Sequence, residues 1–343
     1  MIYYVPEFTI NEALTLEHDL ESRRPDPDFT FDFSRTGRFD PLPMLMMGAI
    51  MRRYRHKYPE NQFYARGFEN QTYAGTMGFF QYVSPDLHVG KGPGEALGSG
   101  NYLPITSLSL TQMRSQEQEQ GGRFLPDGDI IEREAGRLAT IIDRGDTQLH
   151  KLLTYLIREI LRNTPEHAET DQMWICGQYW RSSQLAEIAI LDEGIGVYQS
   201  ITKNRAHREY ITDNASALDW SIKAGISQAI APSVKQKSND EWANSGFGLY
   251  MVSQICRKLN GNFALISYDD FVHLNNHGLS HGKTSFHGTA IRLRVPAQNV
   301  KDAQSIVSEI NRQGEAEAKL IRNAFKTSSM PSKGLMTKLN IIQ

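Results

Sequence analysis

The sequence predicts a two-domain α/β protein whose larger part is an α+β sandwich, with helices layered on one face of a sheet. Three observations carry this. Two consecutive stretches, 129–144 and 147–163, repeat apolar residues at three- and four-residue steps, the period of an amphipathic helix. They are followed by strand-like runs at 173–180, 185–191, 262–268, 272–274 and 289–295. Within the last run Ile291, Leu293 and Val295 alternate with Arg292 and Arg294, which predicts one face under helices and the other in water.

A chain of 343 residues suits two domains, and 40% hydrophobic with 22% charged residues supports a packed core. A net charge of −2 gives no global electrostatic reason to expect nucleic acid or an anionic membrane as partner. The two cysteines, Cys176 and Cys256, form neither a CxxC pair nor a disulfide framework, so a reducing cytoplasm is the expected compartment. Residues 1–7 lack the basic and apolar regions of a signal peptide, and no apolar run reaches the ~18 residues of a membrane span.

Residues 1–112 read as a small α/β unit with a Gly-rich loop. Phe29, Phe31 and Phe33 alternate with polar neighbours as in a half-buried strand. After a turn at Asp40, Pro41 and Pro43, a Met- and Leu-rich helix runs from Met44 to Tyr54, with Arg52, Arg53 and Arg55 at its C-terminus, where cations are favoured. Tyr73–Phe80 reads as a short helix entering a turn. Residues 86–122 have loop or linker composition, with one strand inside around Ile105, Leu108 and Leu110.

In residues 113–296, Gly145 stops the first helix. On the second, Leu152, Leu153, Leu156, Ile157, Ile160 and Leu161 make the buried stripe. Tyr155, Glu159 and Asn163 stack four apart on the opposite, polar face, expected to be solvated. Pro165 cannot donate to Leu161, so this helix is expected to end or kink just after Asn163. The strand Ile188–Leu191 feeds into Asp192-Glu193-Gly194-Ile195-Gly196, a turn where glycines let backbone approach a ligand and a carboxylate can accept from an exocyclic amine. The connection 197–245 is too long for an ordinary loop and holds a helical piece at 218–226. Ser245-Gly246-Phe247-Gly248-Leu249 then opens a helix, whose first N–H groups favour anions. Residues 297–343 form a helical tail, expected to cover the sheet edge and otherwise offering contact to a partner or a second copy of the chain; Lys326–Gly334 reads as a loose connector.

In order and spacing, Glu159…Asn163, Asp192-x-Gly-x-Gly196, Gly246-x-Gly-Leu249 and Gly288-Thr289 resemble the ATP-binding domain of the GHKL or Bergerat-fold family, shared by gyrase, mismatch-repair ATPases, heat-shock chaperones and histidine kinases. The resemblance implies a mixed, mostly antiparallel sheet covered on one face by helices. It implies ATP and Mg²⁺ as ligands, with Asp192 on the adenine amine and Gly194, Gly196, Gly246, Gly248, Leu249 and Thr289 around the nucleotide. Asn163 then serves as the Mg²⁺ ligand and Glu159 as the group that orients or deprotonates water. A mobile lid lies between the glycine boxes in that family; here Lys235 and Lys237 stand in it, and Asn244-Ser245 replace the usual basic residue before the glycines. The expected function is Mg²⁺-dependent ATP binding with slow hydrolysis, felt by a partner protein. The alternatives are an anti-sigma-type serine kinase and an ATP-gated module without turnover. The N-terminal unit is loosely similar to the STAS domain of anti-sigma-factor antagonists, but Asp32-Phe33-Ser34 is not followed by that family's phospho-acceptor pattern.

Competing motifs are weaker. Gly282-Lys283-Thr284 lacks the P-loop glycine, since residue 277 is His. His273, His277, His281 and His287 fall in an expected hairpin around Asn275–Gly278, whose alternation scatters them. His150 lies within a helix with no dimerisation hairpin before it.

Overall fold

The computed structural model describes residues 1–119, 125–229 and 245–335, with side chains left out at 118–119 and 164–167. The first part of the chain runs β1 (Ile2–Tyr4), α1 (Ile10–Glu21), β2 (Asp28–Asp32), α2 (Pro41–Lys57), β3 (Gln62–Arg66), α3 (Thr72–Met77) and α4 (Phe79–Val83). Its three strands form a parallel sheet in the order β1-β2-β3. Each step between parallel neighbours needs a crossover, and α1 and α2 supply them.

The second part continues with β4 (Tyr102–Ser109), α5 (Leu110–Glu119), α6 (Asp127–Ile142), α7 (Thr147–His167), β5 (Gln172–Trp180) and β6 (Leu185–Asp192). After α8 (Gly196–Ile201) and α9 (Asn214–Ser221) come α10 (Gly248–Lys258), β7 (Asn262–Asn275), β8 (Gly278–Pro296), α11 (Ala303–Leu320) and α12 (Met330–Lys333). Five strands form an antiparallel sheet in the order β4-β5-β6-β8-β7. The strand expected inside the Gly-rich region is thus β4, paired with β5. That region is tied down: Lys91 N–H donates to Gly75 O at 2.9 Å and Gly94 N–H to Ile105 O at 2.8 Å. The two runs expected around 262–274 are one long strand, and its hairpin with β8 turns at Asn275–Gly278.

One face of the five-stranded sheet carries α6, α7 and α10, whose apolar stripes close a single core with Ile175, Ile188, Leu265 and Leu293. The sequence reading left the other face wet, and this is corrected. Cys176, Ala189, Leu191, Ala264, Ile266 and Ala290 on that face join the core of the N-terminal unit. The cover is α2, which packs on β5, β6 and β8. Every residue of α2 from Pro41 to Met51 is buried, so this helix is apolar all round, as expected of one enclosed on all sides. Of the arginines that suggested solvent, Arg294 donates from Nε to Glu187, which is fully buried and also accepts from Leu42 N–H at 3.3 Å, while Arg292 is buried with its Nε unpartnered. Burial raises the Glu187 pKa, against the pull of Arg294 and Arg292.

Two further expectations are corrected. Of the two outcomes expected at Pro165, ending is overturned: helix α7 runs through Pro165 to His167. Proline removes only one donor, and it does so in the final turn, where little of the helical ladder remains to be lost. The tail does not cover the sheet edge: α11 packs on α10 and α7, outside the helix layer. No described helix is long and apolar enough to cross a membrane.

Candidate functional site

The site lies where the C-terminal turns of α7, the end of β6 and the start of α10 meet. Asp192 closes β6, with Thr289 of β8 directly opposite in the antiparallel register. Gly194 packs against the backbone leaving α7: a Cβ there would stand 2.2 Å from Ala168 O, and Ile195 N–H donates to that same carbonyl at 3.0 Å. Gly196 has φ +75°, and a side chain there would strike the Tyr268 ring at 2.5 Å. The acidic turn therefore needs its glycines because Ala168, after α7, and Tyr268, on β7, are packed against it.

These elements enclose a cavity of about 800 Å³ of atom-free space, counting its open mouth. Asp192, Asn163, Gly196, Gly246, Gly248, Leu249 and Thr289 all line it. Ile160, Ile190, Leu265 and Ile291 give it an apolar floor, and Ser200, Ser221, Ser227 and Gln228 a polar wall. The wall residues come from the long connection after the acidic turn, and no sequence motif marks them. Gly194 stands behind the cavity, supporting the turn. Lys235, Lys237 and Asn244 fall outside the described residues.

Two polar groups stand out electrostatically. Asp192 is 8% exposed, and Gly194 N–H donates to its Oδ1 at 3.0 Å. Burial pushes its pKa up to about 7, against that hydrogen bond and with a smaller push from Glu193. Asn163 presents a buried Nδ2 with no hydrogen-bond partner. A buried polar atom left unpaired is costly, and such atoms concentrate where a ligand completes the set.

Glu159 does not line this cavity. It sits one helical turn back, in a smaller adjoining cavity lined also by Asn163, Ser245, Gly248, Ser329 and Ser332. Gly248 and Asn163 thus form the shared wall. A Cβ on Gly248 would lie 3.2 Å from Glu159 Oε2 and 3.8 Å from Asn163 Oδ1, so the first turn of α10 passes directly over both. Phe247, before it, provides no side-chain cap, so the leading N–H groups of α10 have no side-chain partner from the cap position.

The expectation of a solvated polar face on α7 is corrected here. Tyr155, Arg158 and Glu159 are 0%, 0% and 2% exposed. The residues just after α11 cover them. Arg158 donates to Glu159 Oε1 from Nε at 3.2 Å and from Nη2 at 2.9 Å, to Glu132 at 2.9 Å and to Pro331 O at 2.6 Å. Burial opposes the Arg158 charge, but Glu159 and Glu132 outweigh it, and its pKa moves up. Tyr155 OH donates to Ser332 O at 3.0 Å, and Ser332 Oγ donates to Glu159 Oε2 at 3.0 Å. The segment read as a loose connector is a docked strap. Nothing local announces it, because its partners lie over 170 residues away in the chain.

Comparison with protein-family models, curated proteins and solved structures gave no match to this chain.

The competing motifs have ordinary structural duties. Lys283 pairs with Asp270 at 2.7 Å, and Thr284 Oγ1 donates to Leu14 O. His281 contacts Asp219 and His287 contacts Glu17, on different elements. His150 contacts Asp143 at 2.8 Å.

Proposed function

We propose that this chain binds ATP with Mg²⁺ in the manner of the GHKL class, with the five-stranded sheet and its helices as a Bergerat fold, and hydrolyses it slowly to signal to a partner protein. One observation supports this most: Asp192, Asn163, Gly246, Gly248 and Thr289, scattered over more than 120 residues of sequence, share the wall of one cavity. Four separate sequence motifs would not converge if each were only a turn or a helix cap.

The residues fit the group. The buried Asp192 carboxyl has a free oxygen to accept from an adenine amine, a contact that a guanine carbonyl does not offer. The apolar floor suits a base, and the start of α10 suits phosphates. Asn163, at the wall between the two cavities, has the hard oxygen that Mg²⁺ prefers, and its unpaired Nδ2 remains to donate to a phosphate oxygen. Bound Mg²⁺ would neutralise phosphate charge. Glu159, beneath Gly248 and beside Asn163, would orient the nucleophile and hold its proton. Arg158 occupies Oε1, and Oε2, which accepts from Ser332 Oγ at 3.0 Å with Arg162 Nη1 3.8 Å away, would take up that duty. The strap keeps bulk water from Oε2, which agrees with slow turnover. Both cysteines are free and buried, in keeping with a cytoplasmic setting.

Titration calorimetry with ATP and Mg²⁺ tests the reading. Heat and saturation with wild-type protein, lost in Asp192→Ala, are expected. A flat titration with folded wild-type protein would remove it.

A further inference from the structure

The strap does more than cover Glu159. It places one hydroxyl where an acceptor belongs. We infer that Ser332 is a phosphorylation site, modified in cis by the γ-phosphoryl group of a nucleotide bound in the adjoining cavity. This rests on the proposed nucleotide site and names the substrate hydroxyl for it.

Three features of the geometry carry the inference. First, Ser332 Oγ donates its hydrogen to Glu159 Oε2 at 3.0 Å and accepts from Ser329 Oγ at 3.2 Å. Its proton therefore already points at the carboxylate that would take it, and one lone pair remains for attack. Second, the residue is held, not swept across the site. Tyr155 OH fixes its carbonyl, Arg158 fixes that of Pro331, and Ser245 Oγ accepts from Ser329 N–H at 2.8 Å. Three of these anchors, Tyr155, Arg158 and Glu159, lie on one face of α7 at spacings of three and four. Third, Ser332 lines the small cavity together with Asn163 and Gly248, which also line the larger pocket. Holding nucleophile and base in one geometry is what makes such a transfer effectively unimolecular.

The step balances without further reagents. Ser332 Oγ forms a bond to the γ-phosphorus as its proton passes to Glu159. The bond from that phosphorus to the oxygen bridging to the β-phosphate breaks, and ADP leaves with the electron pair. Glu159 afterwards returns the proton to water. The product would set a phosphate of about −1.5 to −2 charge against the Glu159 carboxylate, and like charges at that distance expel one another. The modified strap then leaves α7 and uncovers Glu159, so the modification would also switch the site from a closed to an open form.

Full-length protein incubated with γ-labelled ATP and Mg²⁺ tests this, with the label located by peptide mass spectrometry. The expected result is label on Ser332, gained at a rate independent of protein concentration, and absent in Glu159→Gln. Hydrogen exchange should show residues 328–335 losing protection in the modified protein. Protein that binds ATP while Ser332 stays unmodified, or that is labelled at another residue, overturns the inference and leaves the nucleotide site standing. Transfer whose rate rises with protein concentration overturns the intramolecular step. Absence of any heat with ATP sinks the nucleotide site, and the inference with it. Site mapping on the wild-type chain keeps the test decisive should the Glu159 variant fold poorly.

Discussion

Asp192 carries a stability signature that can be read without ligand. Its carboxyl is pushed up to about 7 from 3.8 by burial. Between those values the folded chain keeps a proton that the unfolded chain has lost. Stability from this group is therefore full below about pH 4 and falls as pH rises towards 7, by about 4 kcal/mol for a shift of that size. Asp192→Asn removes the ionisable group, so its melting temperature should exceed wild type at pH 8 and match it at pH 4. Equal melting temperatures at both pH values would show that the carboxyl is not desolvated. The same shift predicts that ATP affinity, which favours the ionised acceptor, rises with pH by up to about tenfold per unit below 7 and levels off above it. Glu159 plays a different part. Glu159→Gln should keep ATP binding and lose about 10²–10⁴-fold in phosphate release, the span of a general base. Turnover within a few-fold of wild type would reassign the residue to structure alone.

At the scale of elements, two contacts couple the site to the rest of the chain. The strap is held to α7 by Tyr155, whose hydroxyl is buried and bonded to Ser332 O. Tyr155→Phe deletes that bond and leaves one carbonyl unpaired, so local opening of 328–335 should become easier by about 1 kcal/mol in native-state hydrogen exchange. The second contact comes from the N-terminal unit. Arg52 and Arg53, at the end of α2, both grip Glu193, the residue beside Asp192. Arg53 also holds Glu17 of α1 at 3.0 Å. Arg53→Ala leaves two carboxylates short of their partner and should cost about 2 kcal/mol by urea denaturation. A loss below about 0.5 kcal/mol would mark the pair as a solvent-screened surface contact. Because the grip falls on the acidic turn, α2 ties the N-terminal unit to the residues beside the cavity.

For the whole molecule, α2 is the shared core. It seals the second face of the five-stranded sheet and also belongs to the aromatic cluster of the parallel sheet, where Phe29 and Tyr54 pack with ring centres 5.5 Å apart. Two units that share one buried helix cannot unfold separately without exposing it. The full chain is expected to unfold in one transition, with fluorescence and circular dichroism coincident. Two resolved transitions would show that the units are energetically independent. The covered face was hidden from sequence reading because alternation of Ile and Arg looks the same over water as under a helix, when a carboxylate on the neighbouring strand neutralises the arginine. Arg294 stands opposite Glu187 in the β6–β8 register, and α2 then covers the pair, with Leu42 N–H donating to the same carboxylate.

What the sequence determined by itself is local and periodic. The stripes of α6, α7 and α10, the alternation of β8 and the presence of a glycine-rich acidic turn follow from residues within a turn or two of one another. Backbone geometry and side-chain period are set at that range. Tertiary structure alone decided what lies across space. It put α2 on the second face of the sheet, brought the serines of 200–227 to the cavity wall, and laid residues 328–335 over Glu159. These contacts join positions far apart in sequence, and the polar groups involved read as solvated until a distant partner takes the place of water. Burial, and with it the shifted carboxyl of Asp192, is a property of the assembled layers and has no local code.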